Sequence, residues 1–76
     1  MTYHAELDAL GLLCPLPVLK ARKRMSALEA GQVLRMATDD PAALIDVPHY
    51  CAEAGHDLLD QQEADGIATF LIRKSA

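Results

Sequence analysis

The stretch that decides the fold lies at residues 14–25 and reads Cys14-Pro15-Leu16-Pro17-Val18-Leu19-Lys20-Ala21-Arg22-Lys23-Arg24-Met25. Proline is favoured in the first turn of a helix, because the backbone N–H that it lacks would have no partner there. Two prolines separated by one residue therefore predict a helix over residues 15–27 or 28. The same pattern predicts that Cys14 lies at or next to the N-cap of this helix.

The position of Cys14 has two interpretations. The positive end of the helix dipole favours an anion, and the thiolate is the reactive form of cysteine. On this interpretation the helix end lowers the pKa of Cys14, and no histidine base is required. The alternative is packing, because Cys14 begins a helical stripe of Val18, Ala21, Met25 and Leu28, and free cysteine is often buried. The flanking prolines favour the reactive interpretation.

Length and composition limit the class of protein. The chain has 76 residues, which predicts one small domain over residues 1–76. Two cysteines are too few for a disulfide-built scaffold, and no apolar run is long enough to cross a membrane. The first six residues do not resemble a signal peptide, so a reducing cytoplasm is the expected location. The net charge of −4 argues against nucleic-acid binding by bulk electrostatics.

The first half of the chain predicts two strands around the helix. Residues 3–10 alternate between apolar and polar side chains, which is typical of a half-buried strand. Gly31 is the expected C-terminal cap of the helix, and residues 32–38 predict a second strand. A strand, a helix and a strand in this order favour a right-handed parallel crossover.

A second helix is predicted over residues 41–54. Residues 39–41, Asp-Asp-Pro, are a helix-start signal, with an aspartate as N-cap and proline at the first helical position. Gly55 ends the pattern. Pro48 predicts a kink or a break. The expected core stripe of this helix is Leu44, Val47, Cys51 and Ala54.

The rest of the chain predicts a hairpin, with strands over residues 57–63 and 67–74 around Ala64-Asp65-Gly66. The last strand carries apolar residues on both faces, which suits a central strand or an exposed patch. Two helices can cover one face of a four-stranded sheet. We therefore predict an α/β (α+β) fold, a β-α-β-α-β-β two-layer sandwich with a mixed sheet, both helices on one face and the other face towards solvent.

Other residues suggest chemistry less strongly. Cys51 is expected to be buried and structural, and a disulfide or a resolving role towards Cys14 is the alternative. A helix cap explains at least one member of the pair Asp39 and Asp40. No metal site and no cofactor are expected, because there is no Cys-x-x-Cys motif and the histidines lack ligand spacing. Nothing supports pairing of Cys14 with any of the three histidines, His4, His49 and His56.

The segment around the cysteine has a family resemblance. It reads Leu7-Asp8-Ala9-Leu10-Gly11-Leu12-Leu13-Cys14-Pro15-Leu16-Pro17 and resembles the signature of the TusA/SirA-family sulfur carriers, whose hallmark is Cys-Pro-x-Pro. The similarity continues at residues 39–41, 46–51 and 71–74, and so covers nearly the whole chain. The resemblance implies the same two-layer sandwich.

The resemblance also implies a function and partners. Cys14 would carry sulfur as a persulfide, taken from a cysteine desulfurase or a rhodanese-like donor and passed to an acceptor protein. In the best-known members the relay ends in thiolation of the wobble uridine of tRNA, and other members serve other sulfur pathways. Such a carrier is a sulfurtransferase-type protein without autonomous turnover. Leu13 and Leu16 stand where many members have Arg and Glu, and both bear on the choice of partner.

The surroundings of Cys14 suggest how partners dock. Leu12, Leu13 and Leu16 are an expected apolar docking patch. Four of the seven lysines and arginines follow on the first helix: Lys20, Arg22, Lys23 and Arg24. They would steer acidic partners towards the cysteine. The alternative is that they form only a solvated face of the helix.

Two other functions remain open at this point. One is a redox or regulatory interaction module that uses Cys14 and Cys51 as a switch. The other is RNA binding, because the sandwich resembles the C-terminal domain of translation initiation factor three. The acidic balance and only three aromatic residues disfavour RNA binding.

Overall fold

The computed structural model describes residues 3–75, in which strands and helices follow the predicted order. Residues 1, 2 and 76 lie outside this range. They include the two ends of the predicted domain and the first residues of the N-terminal segment. Neither helix within the described range is long and apolar enough to span a bilayer. The elements are β1 (Ala5–Asp8), α1 (Leu16–Ser26), β2 (Val33–Thr38), α2 (Ala43–Ala54), β3 (Asp57–Ala64) and β4 (Ile67–Arg73).

The four strands form one mixed sheet in the order β1-β2-β4-β3. Strands β1 and β2 are parallel, as the strand-helix-strand pattern predicted. Strand β4 pairs antiparallel with both β2 and β3, so it is a central strand. The predicted fold class is confirmed.

The hydrophobic core lies between the inner face of the sheet and the two helices. Cross-strand pairs of β2 and β4, Leu34 with Ile72 and Met36 with Phe70, are fully buried at its centre. Successive side chains of a strand point to opposite faces, so Leu71 lies on the other face, where it is half-buried. The helices contribute Ala21, Met25, Val47, Tyr50 and Cys51 to the core.

The hairpin between β3 and β4 turns on Asp65 and Gly66. Their φ angles are 55° and 78°, so both residues are left-handed. A tight two-residue hairpin of type I′ requires positive φ at both central positions, and Asp-Gly is among its preferred sequences. The predicted hairpin is confirmed.

Helix α1 ends earlier than predicted. Its C-cap is Ala27, and the N–H groups of Ala27 and Leu28 donate to the carbonyls of Arg24 and Met25. Each of these bonds spans three residues, as in a 3₁₀-helix, and they end the helix before Gly31. Gly31 instead precedes β2, where its N–H donates to the carbonyl of Lys74. The prediction that Gly31 caps the helix is wrong.

Helix α2 continues through Pro48, so the predicted break does not occur. Proline removes one backbone hydrogen bond, but Val47 before it and Cys51 after it are both buried against the sheet. Because Val47 and Cys51 are both buried, the helical turns before and after Pro48 stay packed against the sheet as one helix. Gly55 ends α2 in the left-handed conformation, as predicted.

The buried face of β4 offers a stability test with a matched control. Ile72 is 0% exposed and Ile67 on the same strand is 37% exposed. We expect Ile72→Val to lower the free energy of unfolding by about 0.5–1.5 kcal/mol, because a buried methyl group is lost. Ile67→Val should change it by less than about 0.5 kcal/mol. Urea denaturation measures both, and equal losses would contradict the assigned core.

Candidate functional site

Cys14 is exposed and lies in the loop between β1 and α1, directly before the N-cap residue Pro15. Pro17 is in the first turn of α1 and is buried. The predicted stripe of α1 is present from Val18 onwards, but Cys14 does not join it. Because Cys14 precedes the helix, the helical periodicity does not set the direction of its side chain.

Asp40 fastens the backbone of Cys14 to the segment before α2. One carboxylate oxygen accepts the Cys14 N–H at 2.6 Å, and the other accepts the Ala42 N–H at 3.2 Å. Asp40 is only 8% exposed, and its own N–H donates to the hydroxyl of buried Thr38. The prediction that an aspartate is the N-cap and Pro41 the first helical residue is wrong, because the N-cap of α2 is Ala42 and the helix begins at Ala43. The Asp40 carboxylate instead holds the turn that leads into the helix. The bond to Cys14 was not predicted.

Asp39 fastens the same loop at a second point. Its carboxylate accepts the N–H of Gly11, 3.0 Å away, and Gly11 has a φ of 79° that a larger residue would adopt with strain. The two aspartates therefore hold backbone N–H groups of the cysteine loop. A signal for this was present in the sequence, because the carboxyl ends of parallel strands β1 and β2 must meet at one edge of the sheet.

The thiol of Cys14 has a carboxylate partner, Asp46, in the first turn of α2. The Sγ–H donates to Oδ2 of Asp46 across 3.2 Å. This hydrogen bond raises the pKa of the Cys14 thiol, and slight desolvation and the negative charges of Asp46 and Asp40 raise it further. Sequence reasoning missed Asp46 because it lies 32 positions from Cys14 and is placed there only by the packing of α2 beside α1.

The expectation that the start of α1 lowers the pKa of Cys14 is therefore wrong. Within residues 14–17, the backbone N–H groups are absent or occupied. Pro15 and Pro17 have none, the Cys14 N–H donates to Asp40, and the Leu16 N–H donates to the carbonyl of Leu13. The thiol meets a carboxylate instead of a helix N–H, and a carboxylate favours the protonated form.

The predicted docking residues lie in different settings. Leu13 is 70% exposed and Leu16 is 44% exposed, so both flank the thiol at the surface, whereas Leu12 is half-buried against the core. The basic residues of α1 are exposed and point in different directions. The guanidinium of Arg22 lies 5.0 Å from the centre of the Tyr50 ring, and Arg24 donates to the carbonyl of Glu6. Lys20 and Lys23 are exposed on the same helix.

A shallow groove of about 160 Å³ runs between α1 and α2 beside Asp46. The α2 side of this groove includes His49, whose Nε2 lies 3.5 Å from the carboxylate of Glu53. The thiol of Cys14 is paired with Asp46 and not with a histidine. Within residues 3–75, no three His, Cys, Asp or Glu side chains are placed to hold a metal ion.

Cys51 lies on the opposite side of α2 from the site. It is buried in the core, and desolvation raises the pKa of its thiol to about 11. Cys51 and Asp46 are five positions apart, about 140° around a helix with 3.6 residues per turn. The thiol of Cys51 therefore faces the sheet, while Asp46 faces Cys14.

The exposed cysteine and the two prolines that follow it lie within a region that matches a known protein family. The family described as sulfurtransferase TusA matches residues 5–74. The chain belongs to the TusA family. It is similar to the sulfur carrier protein TusA of Allochromatium vinosum, with 41% identity over 96% of each chain. It is 43% identical to the sulfur carrier protein TusA of Pseudomonas entomophila, over all of this chain and 95% of the relative.

A solved structure supports the TusA-family fold. The SirA-like protein of Desulfitobacterium hafniense superposes with a TM-score of 0.84 and 28% sequence identity, over 96% of this chain and all of that one. The similarity to the TusA family therefore extends along nearly the whole chain, in sequence and in fold.

The two thiols should differ sharply in reactivity. We expect the native protein to react with one equivalent of an aromatic disulfide reagent, at exposed Cys14. Cys51 should react only when the protein is unfolded, because its sulfur is buried and remains protonated. Spectrophotometric thiol counting on the wild type, Cys14→Ser and Cys51→Ser measures this. Rapid reaction of the native Cys14→Ser variant would contradict the assignment.

Removal of the Asp40 carboxylate should loosen the cysteine loop. Asp40→Ala leaves two backbone N–H groups without their acceptor, so we expect a loss of about 1–3 kcal/mol in the free energy of unfolding. Amide exchange at Cys14 should also become faster. Asp39→Ala is the matched control, because it breaks one exposed bond, at Gly11, and leaves the Cys14 amide in place. Equal protection of Cys14 in both variants would refute the role of Asp40.

Proposed function

We propose that this protein is a sulfur carrier that holds the transferred sulfur as a persulfide on Cys14. The observation that carries the proposal is the exposure of the Cys14 thiol on the Cys-Pro-x-Pro loop, while the other thiol, Cys51, is buried. Relatives that are about 40% identical over nearly the full chain are named sulfur carriers. A carrier needs one accessible sulfur that a second protein can reach.

Loading needs no external oxidant or reductant. The Cys14 thiolate attacks the terminal sulfur of a donor persulfide, a new S–S bond forms on Cys14, and the donor's thiolate leaves. The donor thiolate takes up the proton that Cys14 gave up. Sulfur, electrons and protons therefore balance within the pair of proteins.

Delivery is the same exchange in the opposite direction. A thiolate of the acceptor attacks the terminal sulfur of the Cys14 persulfide, and Cys14 leaves as a thiolate. Each cycle needs both a donor and an acceptor, so the protein has no autonomous turnover. We propose a cysteine desulfurase or a rhodanese-like protein as donor, and an acceptor protein in tRNA 2-thiouridine modification or another sulfur-transfer pathway.

The exposed leucines beside the thiol support docking of such partners. Leu13 and Leu16 present apolar surface next to the reacting sulfur, where contact with a partner would exclude water. The positive charges of Lys20, Arg22, Lys23 and Arg24 would favour an acidic partner during encounter.

The alternative redox switch has less support. It requires the sulfur atoms of Cys14 and Cys51 to meet, but they lie on different sides of α2 and Cys51 is in the core. A disulfide between them would need α2 to leave the sheet.

Intact mass spectrometry tests the proposal. The reduced protein is incubated with a cysteine desulfurase and cysteine, and separately with a rhodanese and thiosulfate. We expect a gain of one sulfur atom that a reductant reverses. Cys14→Ser should gain none, and Cys51→Ser should load like the wild type.

Two results would count against the proposal. Failure of the folded wild type to gain sulfur from either donor would remove the carrier function. Loss of loading in a folded Cys51→Ser variant would replace a one-cysteine mechanism with a two-cysteine mechanism.

A further inference from the structure

We propose that Asp46 distinguishes the unloaded from the loaded form of Cys14 and favours release of the sulfur. Its carboxylate accepts a hydrogen bond that only the unloaded thiol can donate through Sγ. This inference rests on the proposed carrier function. It assigns to Asp46 a positioning role that acts through Cys14.

The geometry of the unloaded form supplies the first step. Oδ2 of Asp46 lies 3.2 Å from Sγ of Cys14, within hydrogen-bonding distance for sulfur. The backbone of Cys14 is held independently by Asp40, so the thiol is presented to Asp46 by a fixed loop. The hydrogen bond therefore needs little ordering of Cys14.

Loading removes the donor of this bond. In the persulfide, Sγ is bonded to Cβ and to the terminal sulfur and carries no hydrogen. The terminal sulfur stands one S–S bond further out, about 2.05 Å from Sγ. When the persulfide is ionised, it has no proton to give and adds a negative charge beside the carboxylate. The contact that stabilises the unloaded form thus becomes repulsive in the loaded form.

The charged groups around the thiol act in the same direction. The groups from the α2 side are the carboxylates of Asp40 and Asp46, and both raise the pKa of Cys14. From α1, Arg22 lines the groove beside Asp46, and its guanidinium lies against the Tyr50 ring. His49 and Glu53 line the same groove, and Nε2 of His49 lies 3.5 Å from the Glu53 carboxylate. Asp46 is the group that bonds the sulfur directly.

The effect of Asp46 on sulfur release can be described by the exchange of sulfur with a small thiol, glutathione. The loaded protein and glutathione exchange to give the unloaded protein and glutathione persulfide, and sulfur, protons and electrons balance. Each unloaded Cys14 regains its hydrogen bond to Asp46. The carboxylate therefore displaces this equilibrium towards release.

The first measurement uses the unloaded protein and needs no sulfur donor. The rate of alkylation by iodoacetamide is measured against pH for the wild type, Asp46→Asn and Glu53→Gln. Asp46→Asn should move the midpoint to lower pH and raise the rate at pH 7 severalfold, because the amide removes the charge and weakens the bond. Glu53→Gln removes an equal charge on the same helix, from a carboxylate that pairs with His49 and does not bond the sulfur, and it should match the wild type.

The second measurement uses loaded protein. Wild type and both variants are equilibrated with fixed amounts of glutathione and glutathione persulfide, and the loaded fraction is read by intact mass. Asp46→Asn should retain a larger loaded fraction than the wild type and Glu53→Gln. Urea denaturation of each variant checks that it is folded.

The outcomes separate this inference from the proposed function. An unchanged alkylation profile in Asp46→Asn, or equal shifts in both variants, would overturn the role of Asp46 whether or not Cys14 carries sulfur. An equal loaded fraction in all three proteins would also overturn it. Failure of Cys14 to accept sulfur from any donor would instead remove the carrier function, and with it the release step.

Discussion

Burial of the inner face of β2 and β4 under two helices is the constraint on which the rest of the structure depends. Leu34, Met36, Phe70 and Ile72 are fully buried there, and their apolar area is the main driving force for folding a chain of this size. Two helices cover one face of the sheet, so the core is confined to a single layer. Residues that need access to partners must lie outside this layer, in the loops, on the outer surfaces of the helices or on the open face of the sheet.

The site is a product of connectivity. Because β1 and β2 are parallel, the loop that leaves β1 and the loop that leaves β2 emerge at the same edge of the sheet. The first loop carries Cys14, and the second carries Asp39 and Asp40. The cysteine loop is therefore fastened by the segment that starts α2, and packing of α2 beside α1 adds Asp46.

This arrangement makes the thiol accessible and favours its protonated form. Oxidation of a cysteine depends on exposure and on thiolate character, and the hydrogen bond that the Cys14 thiol donates to Asp46 disfavours the thiolate. Exchange with a partner's persulfide requires the thiol proton to leave. For the proposed carrier, the same carboxylate limits reaction in free solution and stabilises the thiol that is left after delivery.

The surface around the thiol is apolar next to the sulfur and mixed in charge further away. Leu13 and Leu16 are exposed on either side of the Cys-Pro pair. Arg22 is occupied by the Tyr50 ring, and Arg24 by the carbonyl of Glu6. The basic residues of α1 therefore do not form one continuous positive face. Leu13 and Leu16 are the part of this surface that lies next to the sulfur.

The sequence by itself determined the order of elements, the single covered face of the sheet, the Asp-Gly hairpin and the membership of a family. These follow from local patterns: side-chain periodicity, proline and glycine positions, and the Cys-Pro-x-Pro motif. The sequence-based predictions are wrong where packing overrides local preference. Pro48 stays inside α2 because Val47 and Cys51 are buried on either side of it.

Only the tertiary structure decided the chemical setting of Cys14. The local pattern predicted a helix end that favours a thiolate. Asp40 and Asp46 lie 26 and 32 positions away in the chain, and folding brings both carboxylates to the cysteine. The energy of a charge depends on distance in space and not on separation in sequence, so no local pattern carried this information.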